Sequence, residues 1–289
     1  MKTKLILCVM LFLMISLKLN GQQLELKIMT TKTEFILAEP IEIGIVLQNI
    51  GKELFRGIRP SLVLGSLKIE IRDIYGIAVP YTGFYGTSMF NDFELKSQDE
   101  EYILVSSDEN FGYEICKSMS TRFIENGEYT IQAFYLNSDV PLKSNIISIK
   151  VNNPTDQELF VYNKFIEITD KIDYSTKEKI AESIADYKVL VEENSNSVYA
   201  PLIWFRISTL YLIELENKME AMRIRRRILE DYPNSAKGQC LIDPVLNEIG
   251  DNSEKVKFLQ YLKEKSKNSL MEKIITKKLI KSNDGWDGN

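Results

Sequence analysis

The chain has 289 residues, 44% apolar and 27% charged, with 36 basic against 41 acidic side chains and a net charge of −5 at pH 7. That apolar content excludes wholesale disorder, and the length suits two domains better than one. Histidine does not occur, which excludes His-dependent triads, His metal ligands and imidazole acid–base chemistry. Ser-x-x-Lys, the P-loop and Gly-x-Gly-x-x-Gly are missing too.

Residues 1–21 read as a secretory signal. Lys2 and Lys4 make a basic start, Leu5 to Leu17 is an apolar run, and Leu19-Asn20-Gly21 ends in a small residue suited to cleavage. The run is shorter than the ~20 residues a membrane span needs. Lipidation at Cys8 is disfavoured, because Leu7 is not small and the apolar run continues past it. Cleavage after Gly21 leaves an exported chain without a transmembrane span, holding 33 basic and 41 acidic side chains, a net charge of −8. So acidic a chain, lacking a dominant basic face, is a poor partner for nucleic acid. Cys116 and Cys240 remain. Export permits a disulfide between them, but they fall in different predicted domains, which favours two buried free thiols.

Residues 22–152 place apolar side chains at period two, the alternation of a strand with one face in a core. In "EPIEIGIVLQNIG", Ile41, Ile43, Ile45 and Leu47 share one parity, against Glu42, Gly44, Val46 and Gln48. Leu67, Ile69 and Ile71 repeat the device, as do Tyr129, Ile131, Ala133 and Tyr135, then Ile147, Ile149 and Val151. Turn signals at Asn49-Ile50-Gly51, Asp73 to Gly76 and Asn126-Gly127 separate the runs, so an antiparallel β-sandwich is expected. "TEFILAEPIEIGIVLQNIG", "NGEYTIQAFY" and "SNIISIKV" resemble the immunoglobulin-like sandwich modules of bacterial exported proteins. The Cys–Trp–Cys core of antibody domains is missing, since both Trp lie outside this half. The resemblance implies a fold and no activity.

Within this half, "YGIAVPYTGFYGTSMFNDF" departs from strand patterning. It concentrates Tyr81, Phe84, Tyr85 and Phe90 among glycines, with Tyr75 and Phe93 at its ends. Such a loop either presents flat faces to a sugar ring or a peptide, or closes one end of the sandwich core.

Past Asn152-Asn153-Pro154 the period becomes helical, and residues 153–282 are expected to be a helical domain. Thr155 with Glu158, and Ser175 with Glu178, are spaced as capping boxes. Leu159, Tyr162 and Ile166 follow the first box; Ile180, Ile184, Tyr187 and Val191 follow the second. "NKMEAMRIRRRILEDYPNS" (217–235) overlays "DNSEKVKFLQYLKEKSKNS" (251–269) at a shift of 34 residues. Ile224 then meets Phe258, Ile228 meets Leu262, and Asn234-Ser235 meets Asn268-Ser269. Asn196-Ser197, 38 residues before Asn234-Ser235, is a third joint. Each joint stops one helix and caps the next, the mark of a helix-pair repeat.

The step of 34, Ala221 as a small crossing residue and Pro233 as a terminal proline resemble the tetratricopeptide repeat. Glu216 stands where that family favours glycine, Lys255 where it favours a small residue, and Lys267 where it favours proline, so two to three degenerate units are expected. The resemblance implies a groove whose face includes Arg206, Leu210 and Ile213. In "RIRRR" (223–227), Arg226 and Arg227 lie four residues before Glu230 and Asp231, the spacing of solvated ion pairs. Residues 283–289 read as a disordered tail, without the spacing of a calcium loop.

The expected architecture is multidomain, all-β and then all-α: an antiparallel sandwich followed by a helix-pair array. The expected function is that of an exported, non-enzymatic binding or scaffold protein with no cofactor and no metal. Its helical groove would hold a protein or peptide partner in the cell envelope. The alternative is a glycan-binding or glycan-processing envelope protein that uses loop 75–93.

Overall fold

The computed structural model describes residues 24–62, 65–79, 92–106, 125–136, 141–235, 237–238, 241–267 and 269–283. The signal stretch, the aromatic set Tyr81, Phe84, Tyr85 and Phe90, both late cysteines and the last six residues lie outside the described residues.

Strands β1 (Leu24–Thr30), β3 (Glu42–Asn49) and β7 (Glu100–Ser106) form one sheet, in the order β1-β3-β7. A second sheet has the order β2-β9-β8-β5, from β2 (Glu34–Ile36), β5 (Leu67–Asp73), β8 (Gly127–Tyr135) and β9 (Leu142–Asn152). A two-stranded ribbon pairs β4 (Phe55–Ile58) with β6 (Asp92–Leu95). The parities read from the sequence meet here: Ile43, Ile45, Leu47, Leu67, Ile131 and Tyr135 are among the residues of one core between the sheets. Two asparagines tie its edges. Asn49 is fully buried, donates to the carbonyls of Glu53 and Leu95 at 2.7 and 2.9 Å, and accepts from Gly51 N–H at 3.0 Å. Asn145 on β9 accepts from Ile28 N–H at 2.9 Å and donates to Ile28 C=O at 3.0 Å, joining the two sheets.

Helix α1 (Asp156–Asp170) starts at Thr155, whose hydroxyl accepts from Glu158 N–H at 3.2 Å. Helix α2 (Lys177–Glu193) is capped by Thr176, one residue past the expected Ser175. Its Ile180, Ile184, Tyr187 and Val191 are buried as expected, whereas α1 buries Val161 and Phe165 and leaves Leu159 exposed. Helix α3 (Ala200–Thr209) runs into a π-helical turn, Leu210–Glu214. Glu216 follows in the left-handed region, at φ 53°. The rest are α4 (Lys218–Asp231), α5 (Ile242–Glu248), α6 (Asn252–Lys265) and α7 (Leu270–Asn283).

The expected succession of an all-β and then an all-α unit is corrected by this arrangement. The protein is mixed α/β: several small sheets in the N-terminal half and seven α-helices in the C-terminal half, among the described residues. The sheets are also not purely antiparallel, since β2 runs parallel to β9. The physical reason for the misreading lies on the second face of the β1-β3-β7 sheet. Val46, whose parity suggested solvent, is only 4% exposed. Its neighbour Tyr102, and Met29 on the same face, pack against the helical core. Lys277 of α7 stands 5.4 Å from the Tyr102 ring centroid, donates to Glu100 C=O and pairs with Glu101 at 3.2 Å. Alternation says which residues share a face, and is silent on what covers that face.

Candidate functional site

A cleft of about 630 Å³ opens where three segments converge. The chain on either side of β2 forms one wall, with Thr31 and Lys32 before the strand and Glu39 after it; Pro201 and Leu202 of α3 form another. The helical joints at Ser235 and Ser269 complete it, with Lys237, Lys267 and Lys273.

The two joints are built alike, 34 residues apart. Ser235 Oγ donates to Tyr232 C=O at 2.8 Å and accepts from Gly238 N–H at 3.0 Å. Ser269 Oγ donates to Ser266 C=O at 2.5 Å and accepts from Glu272 N–H at 3.2 Å. One hydroxyl thus closes the helix before it and caps the turn after it. Gly238 is required by space: a Cβ there would lie 2.7 Å from Tyr232 O. The Asn196-Ser197 joint differs. Ser197 Oγ accepts from Tyr199 N–H at 3.2 Å and donates to Glu158 at 2.5 Å, so it joins α1 to the entry of α3.

Four lysines and one glutamate line the cleft. Lys32 pairs with Glu39 at 2.5 Å, and Glu39 also accepts from Ile36 N–H at 2.9 Å. Lys237 is 6% exposed, and its Nζ stands 4.6 Å from the Phe205 ring centroid, a cation–π contact. Lys267 pairs with Glu264 at 2.6 Å on the exposed rim; Lys273 Nζ lies 4.0 Å from Met29 Sδ, a weak acceptor. The first turn of α7 is capped by Ser269 and carries Glu272.

The three groove residues implied by the repeat lie elsewhere. Arg206 donates to the Tyr174 hydroxyl at 2.6 Å. Leu210 is 1% exposed inside the helical core, where it shapes the packing and reaches no ligand. Ile213 is 43% exposed on the π-helical turn. The "RIRRR" run makes the expected pairs, Arg226–Glu230 at 2.9 Å and Arg227–Asp231 at 3.2 Å. Arg227 also lies 4.2 Å from the Trp204 ring centroid. Sequence reasoning singled out Ser235 and Asn268-Ser269 as joints, and Lys267 as a departure from the repeat. It missed that both joints face the β1–β2 segment, because no local pattern reports a contact across some 200 residues.

Among the described residues, the carboxyls with displaced pKa values move downward: Glu70, Glu101, Glu167, Asp173, Glu220 and Glu264. Glu167, hydrogen-bonded by Lys164 and Lys171, is drawn down to about 2. Asp173, hydrogen-bonded by Lys179, is drawn below the usual carboxylate range. No helix among the described residues is long and apolar enough to cross a membrane.

No protein-family model matches the chain, and no curated protein matches it. Among solved structures, a β-glucosidase from Listeria innocua in complex with glucose is similar at 12% identity and a TM-score of 0.28, covering 46% of this chain. The chain spans only 16% of that glucosidase's length. The CARDB domain of a Pyrococcus furiosus protein is similar at 11% identity and a TM-score of 0.27, over 47% of this chain and 97% of its own. An alkylpurine DNA glycosylase from Pseudomonas fluorescens, bound to DNA, is similar at 12% identity and a TM-score of 0.27, over 47% and 32%. Likenesses this low carry no argument about activity.

Proposed function

We propose that this is an exported, non-enzymatic binding protein of the cell envelope. In this reading degenerate tetratricopeptide-like helix pairs and an immunoglobulin-like sandwich together hold a segment of a protein partner. The observation that carries it is the cleft of about 630 Å³ between the repeated joints and the β1–β2 segment. Ligand sites concentrate in such concave junctions, and a peptide needs shape and a few fixed polar groups rather than a catalytic pair. The basic, apolar and small-residue succession of residues 1–21 supports export.

The test is photo-cross-linking of the full chain in envelope extract of its host, with the photoreactive residue at Thr31 on the cleft wall. A polypeptide adduct that disappears when Pro201→Trp narrows the cleft is the expected result. Adducts to glycan alone, or polypeptide adducts only from a photoreactive residue at Ile213, would overturn the cleft as the partner site.

A further inference from the structure

We propose that the occupant of this cleft is an acidic, extended peptide segment whose carboxylates lie beside Lys267 and Lys273 on its rim. The proposal rests on the reading of the cleft as the partner site and adds the chemistry of the partner. The chain carries a net charge of −5, yet the cleft holds four lysines against one glutamate. That glutamate, Glu39, is already neutralised by Lys32 and a backbone N–H. Lys267 is bound to Glu264 by a rim pair whose side chains are 64% and 69% exposed, an attachment a ligand carboxylate displaces at little loss. Lys237 is nearly buried against the Phe205 ring and belongs to the wall, which leaves Lys267 and Lys273 to meet a ligand.

The apolar atoms between these charges decide against a bare inorganic anion. Met29, Pro40 and Val198, half-buried, contribute wall surface beside the lysines, a mixture that suits side chains alternating between charged and apolar. A long polyanion is disfavoured for another reason: the acidic remainder of the surface repels it, whereas a short segment presents its charges only to the cleft. Electrostatic complementarity of this kind sets partner choice and encounter rate more than raw affinity.

The experiment measures binding of a short fluorescein-labelled peptide alternating Glu and Leu to the full chain, beside its Gln–Leu counterpart. Lys267→Glu with Lys273→Glu changes two rim side chains. The expected result is preference for the Glu peptide, weakened by added salt, and a loss of about tenfold in the double variant. A Lys164→Glu, Lys171→Glu variant, altered on α1 and at its C-terminal cap, should bind like the parent. Equal binding of the Glu and Gln peptides, or no effect of the cleft variant, overturns the proposal. If binding is indifferent to charge but Pro201→Trp still removes the Thr31 adduct, the cleft stands as the partner site and only the acidic ligand falls. If the Thr31 adduct itself is absent, the underlying reading fails first.

Discussion

Tyr199, at the entry of α3, donates its hydroxyl hydrogen to the carbonyl of Leu37, beside β2, at 2.6 Å. The ring is fully buried, and burial pushes its hydroxyl far above the ordinary tyrosine range. A single side chain thereby reaches from the helical core to the sheet region across 162 residues of sequence. Tyr199→Phe keeps the packing and removes the bond. It should destabilise the protein by about 1 kcal/mol, read as a lowered denaturant midpoint with an unchanged slope. An unaltered midpoint would mean that water satisfies the Leu37 carbonyl equally well.

Glu101 carries a pH signature of the same junction. Burial alone would raise its pKa, but the hydrogen bond from Arg59 at 2.8 Å and the charge of Lys277 outweigh that, and it titrates below the ordinary 4.5. A depressed folded-state pKa means stability that is present above the unfolded value and lost as pH falls through the folded one. Acidification below about 4.5 should therefore weaken the parent. Glu101→Gln should lose about 1–3 kcal/mol at pH 7 and show a flatter acid limb. Parallel acid limbs would remove Glu101 from the account.

The paired joints predict paired effects. Ser235→Ala and Ser269→Ala each delete a hydroxyl that closes one helix end and caps the next turn. Each should destabilise by about 0.5–2 kcal/mol. Thermal unfolding of the two single variants checks this, and two unchanged melting temperatures would show the caps to be dispensable.

Glu216 occupies the left-handed region at φ 53°, where a side chain with Cβ is disfavoured. Its ion pair with Lys177 spans 3.7 Å between largely exposed side chains and contributes little. Glu216→Gly should therefore stabilise the protein by about 0.5–1 kcal/mol. A lower melting temperature would place the determinant in the Glu216 side chain rather than in the backbone.

Leu210 and Ile213 separate core from surface within one turn. Leu210→Asp buries an unpaired carboxylate and should unfold or severely weaken the chain, while Ile213→Asp should leave stability within about 0.5 kcal/mol. Circular dichroism melts of the two variants distinguish them.

What was legible in the sequence was local. Strand parity identified Ile45, Ile131 and Tyr135 as core, and helical spacing identified Ile184, Tyr187 and Ile228. Asn-Ser recurrence located two serines that do cap. The left-handed backbone at Glu216 leaves no periodic signal in the sequence. What the sequence concealed was coverage. Val46 and Met29 have the parity of an outward face, and nothing near them records that helices lie upon it. The basic cleft was hidden for the same reason. Lys32, Lys237, Lys267 and Lys273 are scattered along the chain and converge only after the sheets and helices have docked.

The Asn145 amide bears on how this protein behaves in company. Ile28 sits on the outer strand of its sheet, with its N–H and C=O turned away from β3 and toward Asn145. An open strand edge is a template on which another chain can add itself, the first step toward fibrils and swapped dimers. By occupying donor and acceptor together, one side chain imitates the missing neighbour and leaves less for a stranger to grip. Wherever copies of a chain meet at high concentration, the amide of Asn145 serves the population of molecules as much as the single fold.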